Sequence, residues 1–150
     1  MTDSKIILGW REWVGLPALG IHAIRAKLDT GARSSCLHVE RSEEFTEQGE
    51  PWIRFAIDPI ARRRRRKRWF EAPIRDKREV TDSGGTRTLR PFIRTPLSIA
   101  GERYEIEMNL ANRREMLFPM LLGRTALIGR VLVDPAQSYV LGQPKPEPKS

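Results

Sequence analysis

The feature that most constrains the fold is a period-two alternation of apolar and polar residues in short segments. It is clearest in residues 21–28, where Ile24, Ala26 and Leu28 fall on one face and basic residues lie between them, as a half-buried strand requires. Segments of similar character, bounded by Gly, Pro or polar turn residues, predict further strands at 5–10, 36–38, 52–58, 69–74, 92–95, 97–99, 104–108, 118–123 and 131–133. Residues 80–87 predict a strand that runs into a Gly-Gly turn. Residues 124–128 predict one or two helical turns. The pattern indicates a mostly β fold, a small closed antiparallel barrel with one short helix.

The length of 150 residues suits one domain that buries a core without disulfides or metals. We predict a domain at residues 1–142, a basic loop insertion at 62–68 and a disordered tail at 143–150, where three prolines occur. The first residues do not have the pattern of a signal peptide, and no apolar run is long enough to span a membrane. Cys36 is the single cysteine. These features predict a cytoplasmic protein with no membrane partner.

Positive charge is concentrated in one block. The chain carries a formal net charge of +8, and residues 62–68 are all Arg or Lys. Such a block attracts polyanions, so we consider a contact with nucleic acid or the ribosome through Arg62–Arg68. The alternative is a solvated basic loop that aids solubility.

The strand at residues 21–28 runs directly into Asp29-Thr30-Gly31. An Asp at the start of a turn accepts hydrogen bonds from backbone N–H groups that follow it, which fixes its carboxylate. Gly31 permits a tight bend, and Thr30 is expected to bury a hydroxyl that needs a partner. The motif suits an aspartic catalytic centre, although an ordinary Asx-turn has the same local pattern.

Three separated blocks carry a resemblance to a known family. Residues 26–35 (AKLDTGARSS), 90–93 (RPFI) and 116–124 (MLFPMLLGR) together resemble a bacterial family labelled "ATP-dependent zinc protease", whose members look like retropepsins. The resemblance extends over about residues 6–139. It implies a barrel of the retropepsin (acid protease) type, with Asp29, Thr30 and Gly31 as the catalytic loop.

The resemblance also implies two supporting elements. A late strand ending in Leu122-Gly123 is expected to cross beside the catalytic loop. A glycine-rich hairpin containing Asp82, Ser83, Gly84 and Gly85 is expected to form a flap over the cleft. Asp82-Ser83-Gly84 also spells a second form of the aspartic motif, but its separation from Asp29 leaves no room for a second lobe, so we interpret it as flap.

The residues support neither zinc nor ATP, despite the family label. The only histidines are His22 and His38, the only cysteine is Cys36, and no His-Glu-x-x-His motif occurs. No Gly-x-x-x-x-Gly-Lys-Ser/Thr loop is present to hold phosphates. We therefore predict no metal and no cofactor, and we keep a zinc peptidase only as a remote alternative.

Aspartic peptide hydrolysis needs two carboxyl groups that share one proton. The chain is too short for two complete lobes, so we predict a homodimer that places two copies of Asp29 together. Four arginines, Arg33, Arg87, Arg90 and Arg124, are expected around the cleft, where they would favour acidic or glutamate-rich peptides or protein substrates. For Arg90 and Arg124, pairing with buried carboxylates is an equal alternative. The rival function is a non-catalytic module that binds nucleic acid or ribosomes through the basic block.

Overall fold

The structure is a computed structural model that describes residues 4–57, 68–82, 84–112 and 117–144. Within these ranges the chain is mostly β, with one short α-helix and one turn of 3-10 helix at Pro17–Leu19, which confirms the predicted fold class. The elements are β1 (Ile6–Gly9), β2 (Arg11–Leu16), β3 (Ile21–Leu28), β4 (Ser35–His38), β5 (Arg41–Glu47), β6 (Glu50–Ile57), β7 (Arg68–Pro73), β8 (Asp76–Thr81), β9 (Arg87–Ile99), β10 (Glu102–Ala111), β11 (Met120–Leu122), α1 (Arg124–Leu127) and β12 (Val131–Asp134).

The described strands form three sheets. β1 pairs with β12, and β5, β6 and β7 form an antiparallel sheet. The remaining seven strands follow the order β10-β4-β11-β3-β2-β9-β8. Because β9 also pairs with β10, six of these strands follow one another in a ring that returns to β10. The strand pairing between β2 and β9 in this ring has the register Gly15–Ser98.

The sheets are mixed rather than purely antiparallel. β10 runs parallel to β4, β11 runs parallel to β3, and β1 runs parallel to β12. Parallel neighbours need long connections between them, and here they join segments far apart in sequence. The alternation of apolar and polar residues within one strand does not reveal whether its neighbouring strand runs parallel or antiparallel to it.

One continuous core lies between the sheets. Its largest fully buried side chains come from segments far apart in the chain: Phe55, Leu8, Leu16, Ile21, Ile24, Leu37, Ile53, Ile57, Ile93, Leu97 and Met108. On β3 the buried residues include Ile24, Ala26 and Leu28, as the alternation predicts. The core therefore fixes the end of β3, and with it the position of Asp29.

Two strands, β2 and β5, were not predicted, and two segments predicted as separate strands form the single strand β9. β2 carries the fully buried Glu12 among apolar residues, which interrupts the alternation. β5 is largely exposed on both faces and has no apolar periodicity. The segments predicted at 92–95 and 97–99 belong to the 13-residue strand β9, which continues through Pro91 and Pro96.

Some predictions fall on residues that the structure does not describe. Residues 62–67 of the basic block and Ser83 lie outside the described ranges, whereas Arg68 begins β7. Of the predicted tail, 145–150 lie outside these ranges and Gln143 and Pro144 lie inside. No helix in the described part of the chain is long and apolar enough to cross a membrane.

Candidate active site

The turn after β3 holds the Asp29 carboxylate close to its own backbone. Gly31 N–H donates to Asp29 Oδ1 at 3.1 Å, and Ala32 N–H donates to the Asp29 carbonyl at 3.1 Å. Asp29 N–H donates to the Leu122 carbonyl at 2.8 Å. The local turn is thus the one expected from Asp-Thr-Gly. Thr30 lies at the exposed tip of the turn in the single chain, so a partner for its hydroxyl stays a prediction that concerns the dimer.

The β11–α1 junction packs against this turn. Arg124 N–H donates to the Ala32 carbonyl at 2.8 Å, and Thr125 N–H donates to the Arg33 carbonyl at 3.2 Å. Gly123 has an ordinary φ of −91°, but a Cβ placed on it would lie 2.5 Å from the Ser34 carbonyl oxygen. Close backbone approach, rather than a left-handed conformation, requires glycine here. The predicted crossing of a late strand beside the Asp29 loop is present.

The Arg124 side chain holds the same loop from outside. Its Nη1 donates to the carbonyls of Thr30 and Gly31, both at 3.2 Å. Arg124 is exposed and does not line the cavity described next. Its contacts are with backbone carbonyls, so its side chain positions the loop that carries Asp29.

A cavity of about 630 Å³ opens beside Asp29. Its walls come from the loop that carries Asp29, from the β8–β9 hairpin and from neighbouring strands. The lining residues are Asp29, Gly31, Ala32, Arg33, Ser34, Cys36, Arg78, Glu79, Val80, Thr81, Asp82, Arg90, Phe92, Asn109 and Leu121. This volume is in the range of ligand-binding pockets, and polar groups line it beside the candidate catalytic carboxylate.

The turn of the β8–β9 hairpin is built around Asp82. Gly84 N–H and Thr86 N–H donate to Asp82 Oδ1 at 2.9 and 3.0 Å. Asp82 N–H donates to the Thr86 carbonyl, and Gly85, with φ at 89°, donates to the Asp82 carbonyl. Asp82 lines the cavity, whereas Gly84 and Gly85 are exposed and lie outside its lining. The Asp82 carboxylate therefore has a role in its own turn.

The four predicted arginines do not form one ring around the cavity. Arg33 is an exposed lining residue, and Arg90 is a buried lining residue with 7% exposure. Arg87 is exposed and does not line the cavity; it forms an ion pair at 3.7 Å with Glu79, which does line it. Among these four residues only Arg33 and Arg90 reach the cavity.

Sequence reasoning missed Arg78 and Asn109. Arg78 donates to Asp76 at 3.0 Å and to Glu107 at 3.0 Å, and its guanidinium lies over the Phe92 ring at 4.2 Å. These acids, Asp76 first, raise the pKa of Arg78 despite partial desolvation. Alternation with Val80 places Arg78 on the inner face of β8, and this signal was available. Asn109 had no such signal, because its place follows from the pairing of β10 with β4.

A metal site is not supported by the described residues. No group of three or more His, Cys, Asp or Glu side chains in that part of the chain is placed to hold a metal ion. His38 pairs with Glu40 at 3.3 Å, and Cys36 Sγ lies 3.8 Å from Arg90 Nη1. The residues that the structure describes do not fit the zinc of the family label.

Curated relatives match nearly the whole chain. A protein of Shewanella halifaxensis named "Probable alpha-L-glutamate ligase" is 40% identical over 143 residues, which are 95% of this chain and 31% of that protein. A Parasynechococcus marenigrum protein with the same name is 41% identical over 138 residues, 92% of this chain and 30% of that one. The chain thus spans about a third of the length of these relatives.

A solved structure and a family model match as well. The crystal structure of Lpg0085 from Legionella pneumophila, a protein described as having unknown function (DUF785), has a TM-score of 0.75 and 30% identity, covering 91% of this chain and 98% of that one. The family model described as "Retropepsin-like aspartic endopeptidase RimB" matches residues 7–144. The chain belongs to this RimB-like, retropepsin-like family.

Proposed function

We propose that this protein is an aspartic endopeptidase whose catalytic dyad is Asp29 together with Asp29 of a second copy of the chain. The observation that carries the proposal is the Asp29 turn. Its carboxylate is fixed by Gly31 N–H at 3.1 Å and faces a cavity of about 630 Å³. Membership of a retropepsin-like family supports the same chemistry.

The mechanism uses one proton shared by two carboxyl groups. The ionised carboxylate takes a proton from water, and that water attacks the peptide carbonyl carbon. The protonated carboxyl donates a hydrogen bond to the carbonyl oxygen and stabilises the tetrahedral intermediate. The C–N bond then breaks as the amine nitrogen receives a proton, which gives a carboxylic acid and an amine. Two ionised carboxylates close enough to share one proton would repel each other, so one of them stays protonated.

The second copy supplies the carboxyl group that one chain lacks. Thr30 and Gly31 are exposed beside Asp29, and this exposure supports a two-fold contact through the catalytic loop. A two-fold axis there would bring the same turn from each copy together. Arg124 would keep each turn in place from its own side.

Acidic peptides are the proposed substrates. Arg33 and Arg90 line the cavity, and arginine binds carboxylates through two parallel hydrogen bonds. The relatives named probable alpha-L-glutamate ligase support glutamate-rich peptides, because a peptidase domain within such a protein would meet glutamyl products. Cys36 is buried and is the single cysteine of the chain, which fits a protein of the reducing cytoplasm.

The test compares substrates and variants. The purified protein should cleave polyglutamate faster than a neutral casein-type substrate, and Asp29→Asn should abolish cleavage while the protein stays folded. Asp82→Asn should retain turnover with a raised KM, because Asp82 organises the hairpin turn. Complete loss in both variants would favour a dyad within one chain, and faster cleavage of the neutral substrate would overturn the charge argument.

A second candidate is binding of nucleic acid near the basic block. The Arg54 guanidinium lies 4.4 Å from the centre of the Trp69 ring, and Trp69 is 44% exposed on the strand that Arg68 begins. Exposed aromatic rings beside arginines suit stacking with bases. Single-stranded RNA should then bind with steep salt dependence, and binding should survive Asp29→Asn but weaken in Trp69→Ala. Binding that is unaffected by Trp69→Ala would remove this candidate surface.

A further inference from the structure

Arg90 is a buried cation in the cavity wall. Only 7% of the residue is exposed. Its Nε donates to the Thr88 hydroxyl at 2.9 Å, its Nη1 donates to the Asn109 amide oxygen at 3.0 Å, and Nη1 also lies 3.8 Å from Cys36 Sγ. No ion pair with an Asp or Glu among the described residues accompanies these contacts.

The burial of Arg90 indicates that its charge is costly to hold with these neutral partners alone. Arginine is rarely buried without a paired acid, since removing a charge from water costs free energy that neutral partners only partly offset. The guanidinium has five N–H donors in a planar fork, and its hydrogen bonds within the chain use Nε and Nη1. A carboxylate that enters the cavity would meet the remaining donors and compensate the charge.

The other lining cations are less suited to this role. Arg78 already has Asp76 and Glu107 as partners, at 3.0 Å each, so its charge is compensated within the chain. Arg33 is exposed, where water screens its charge. Of the three arginines that line the cavity, Arg90 is therefore the buried one whose charge an anionic ligand would compensate.

A buried network holds Arg90 in place. Asn109, which is 1% exposed, accepts from Arg90 and donates through Nδ2 to the Ser35 carbonyl at 2.9 Å. The Ser35 hydroxyl accepts from Gly123 N–H at 3.1 Å, at the junction that packs on the catalytic loop. An anion-binding group held in this way loses little conformational entropy when a ligand binds.

We propose that Arg90 is the specificity-determining residue that binds the side-chain carboxylate of an acidic substrate residue in this cavity. The proposal rests on the proposed function and assigns its substrate preference to one residue. Binding itself does not depend on turnover. The two ideas can therefore be tested separately.

Cys36 provides a direct reporter of occupancy. It is the only cysteine of the chain, and its sulfur lies 3.8 Å from Arg90 Nη1 in the wall of the same cavity. A peptide bound at Arg90 should slow modification of this thiol by a small reagent such as methyl methanethiosulfonate. Labelling can be measured by mass spectrometry in Asp29→Asn, which removes cleavage of the peptide.

The experiment uses hexaglutamate and hexaglutamine, both amidated at the C-terminus. Hexaglutamate should protect Cys36 and hexaglutamine should not. Arg90→Gln should weaken binding of hexaglutamate about 10- to 100-fold, the loss expected for a charge-assisted hydrogen-bonded pair. Arg94→Gln is the matched control, because Arg94 is exposed on the same strand and pairs with Glu105 at 3.4 Å. The Arg94→Gln protein should bind hexaglutamate as tightly as the unchanged chain does. Calorimetric titration provides a second measurement if Arg90→Gln alters the basal labelling rate.

Two results would overturn the proposal. They are equal binding of the two amidated peptides and undiminished binding of hexaglutamate by Arg90→Gln. Selective binding to Asp29→Asn without cleavage by the unchanged chain would instead refute the peptidase and leave the Arg90 site standing.

Discussion

Gly123→Ala should separate the catalytic loop from the strand that supports it. The added Cβ would lie 2.5 Å from the Ser34 carbonyl oxygen, 2.6 Å from the Ser34 carbonyl carbon and 2.9 Å from the Arg33 carbonyl carbon. Ordinary contacts of a Cβ begin near 3.4 Å, so the nearest pair is about 0.9 Å too close by this comparison. All three neighbours are backbone atoms, so no side chain can rotate away. The junction or the loop must move.

The expected cost follows from this overlap. Overpacking of this kind destabilises folded proteins by about 1–3 kcal/mol. The movement would also weaken the hydrogen bonds from Arg124 N–H to Ala32 and from Asp29 N–H to Leu122, both 2.8 Å long. A displacement of about 1 Å at a catalytic group can reduce the rate about 100-fold. The peptidase activity proposed above should therefore fall much further than stability.

Two variants make the comparison specific. Gly9→Ala would create an equally severe clash, 2.4 Å from the Gln137 carbonyl oxygen, outside the cavity lining. Gly84→Ala would meet its nearest atom, Asp82 Oδ1, at an ordinary 3.5 Å. Urea unfolding should place Gly123→Ala and Gly9→Ala at similar stability, with Gly84→Ala near the unchanged chain. The reasoning is wrong if the folded Gly123→Ala and Gly9→Ala proteins retain the same kcat/KM on an acidic peptide.

Two further predictions concern buried polar groups. Glu12→Gln should lower the free energy of unfolding by about 1.5–3 kcal/mol in urea titrations. The reason is that the fully buried Glu12 carboxylate accepts from three backbone N–H groups, including Gly9 at 2.7 Å and Val140 at 2.9 Å. An unchanged midpoint of the urea unfolding curve would contradict this role of Glu12. Tyr104→Phe should cost about 1 kcal/mol by loss of the 2.6 Å hydrogen bond to the Ala126 carbonyl. Burial raises the pKa of Tyr104 above its usual value of 10, so the unfolded chain ionises first and the unchanged protein should lose stability as pH rises past about 10. The stability of Tyr104→Phe should lack this part of the pH dependence, and parallel curves for the two proteins would refute the assignment.

Local pattern was sufficient for the parts of the site that lie close together in sequence. Alternation predicted the bounds of β3, and Asp-Thr-Gly predicted the turn in which Gly31 N–H donates to Asp29. The glycines after Asp82 predicted a hairpin turn, and α1 begins where a helical turn was expected. Each of these depends on interactions between residues a few positions apart, which a sequence records directly.

Only the tertiary structure decided what the arginines do. Arg124 reaches back 94 residues to the Thr30 carbonyl, and Arg90 is buried against Asn109 because β10 pairs with both β4 and β9. The sequence shows the charge of these residues but not their burial or their partners. Burial and partners depend on strand pairing across long stretches of chain, and the same pairing places Arg90 in the wall of the Asp29 cavity and Arg124 outside it.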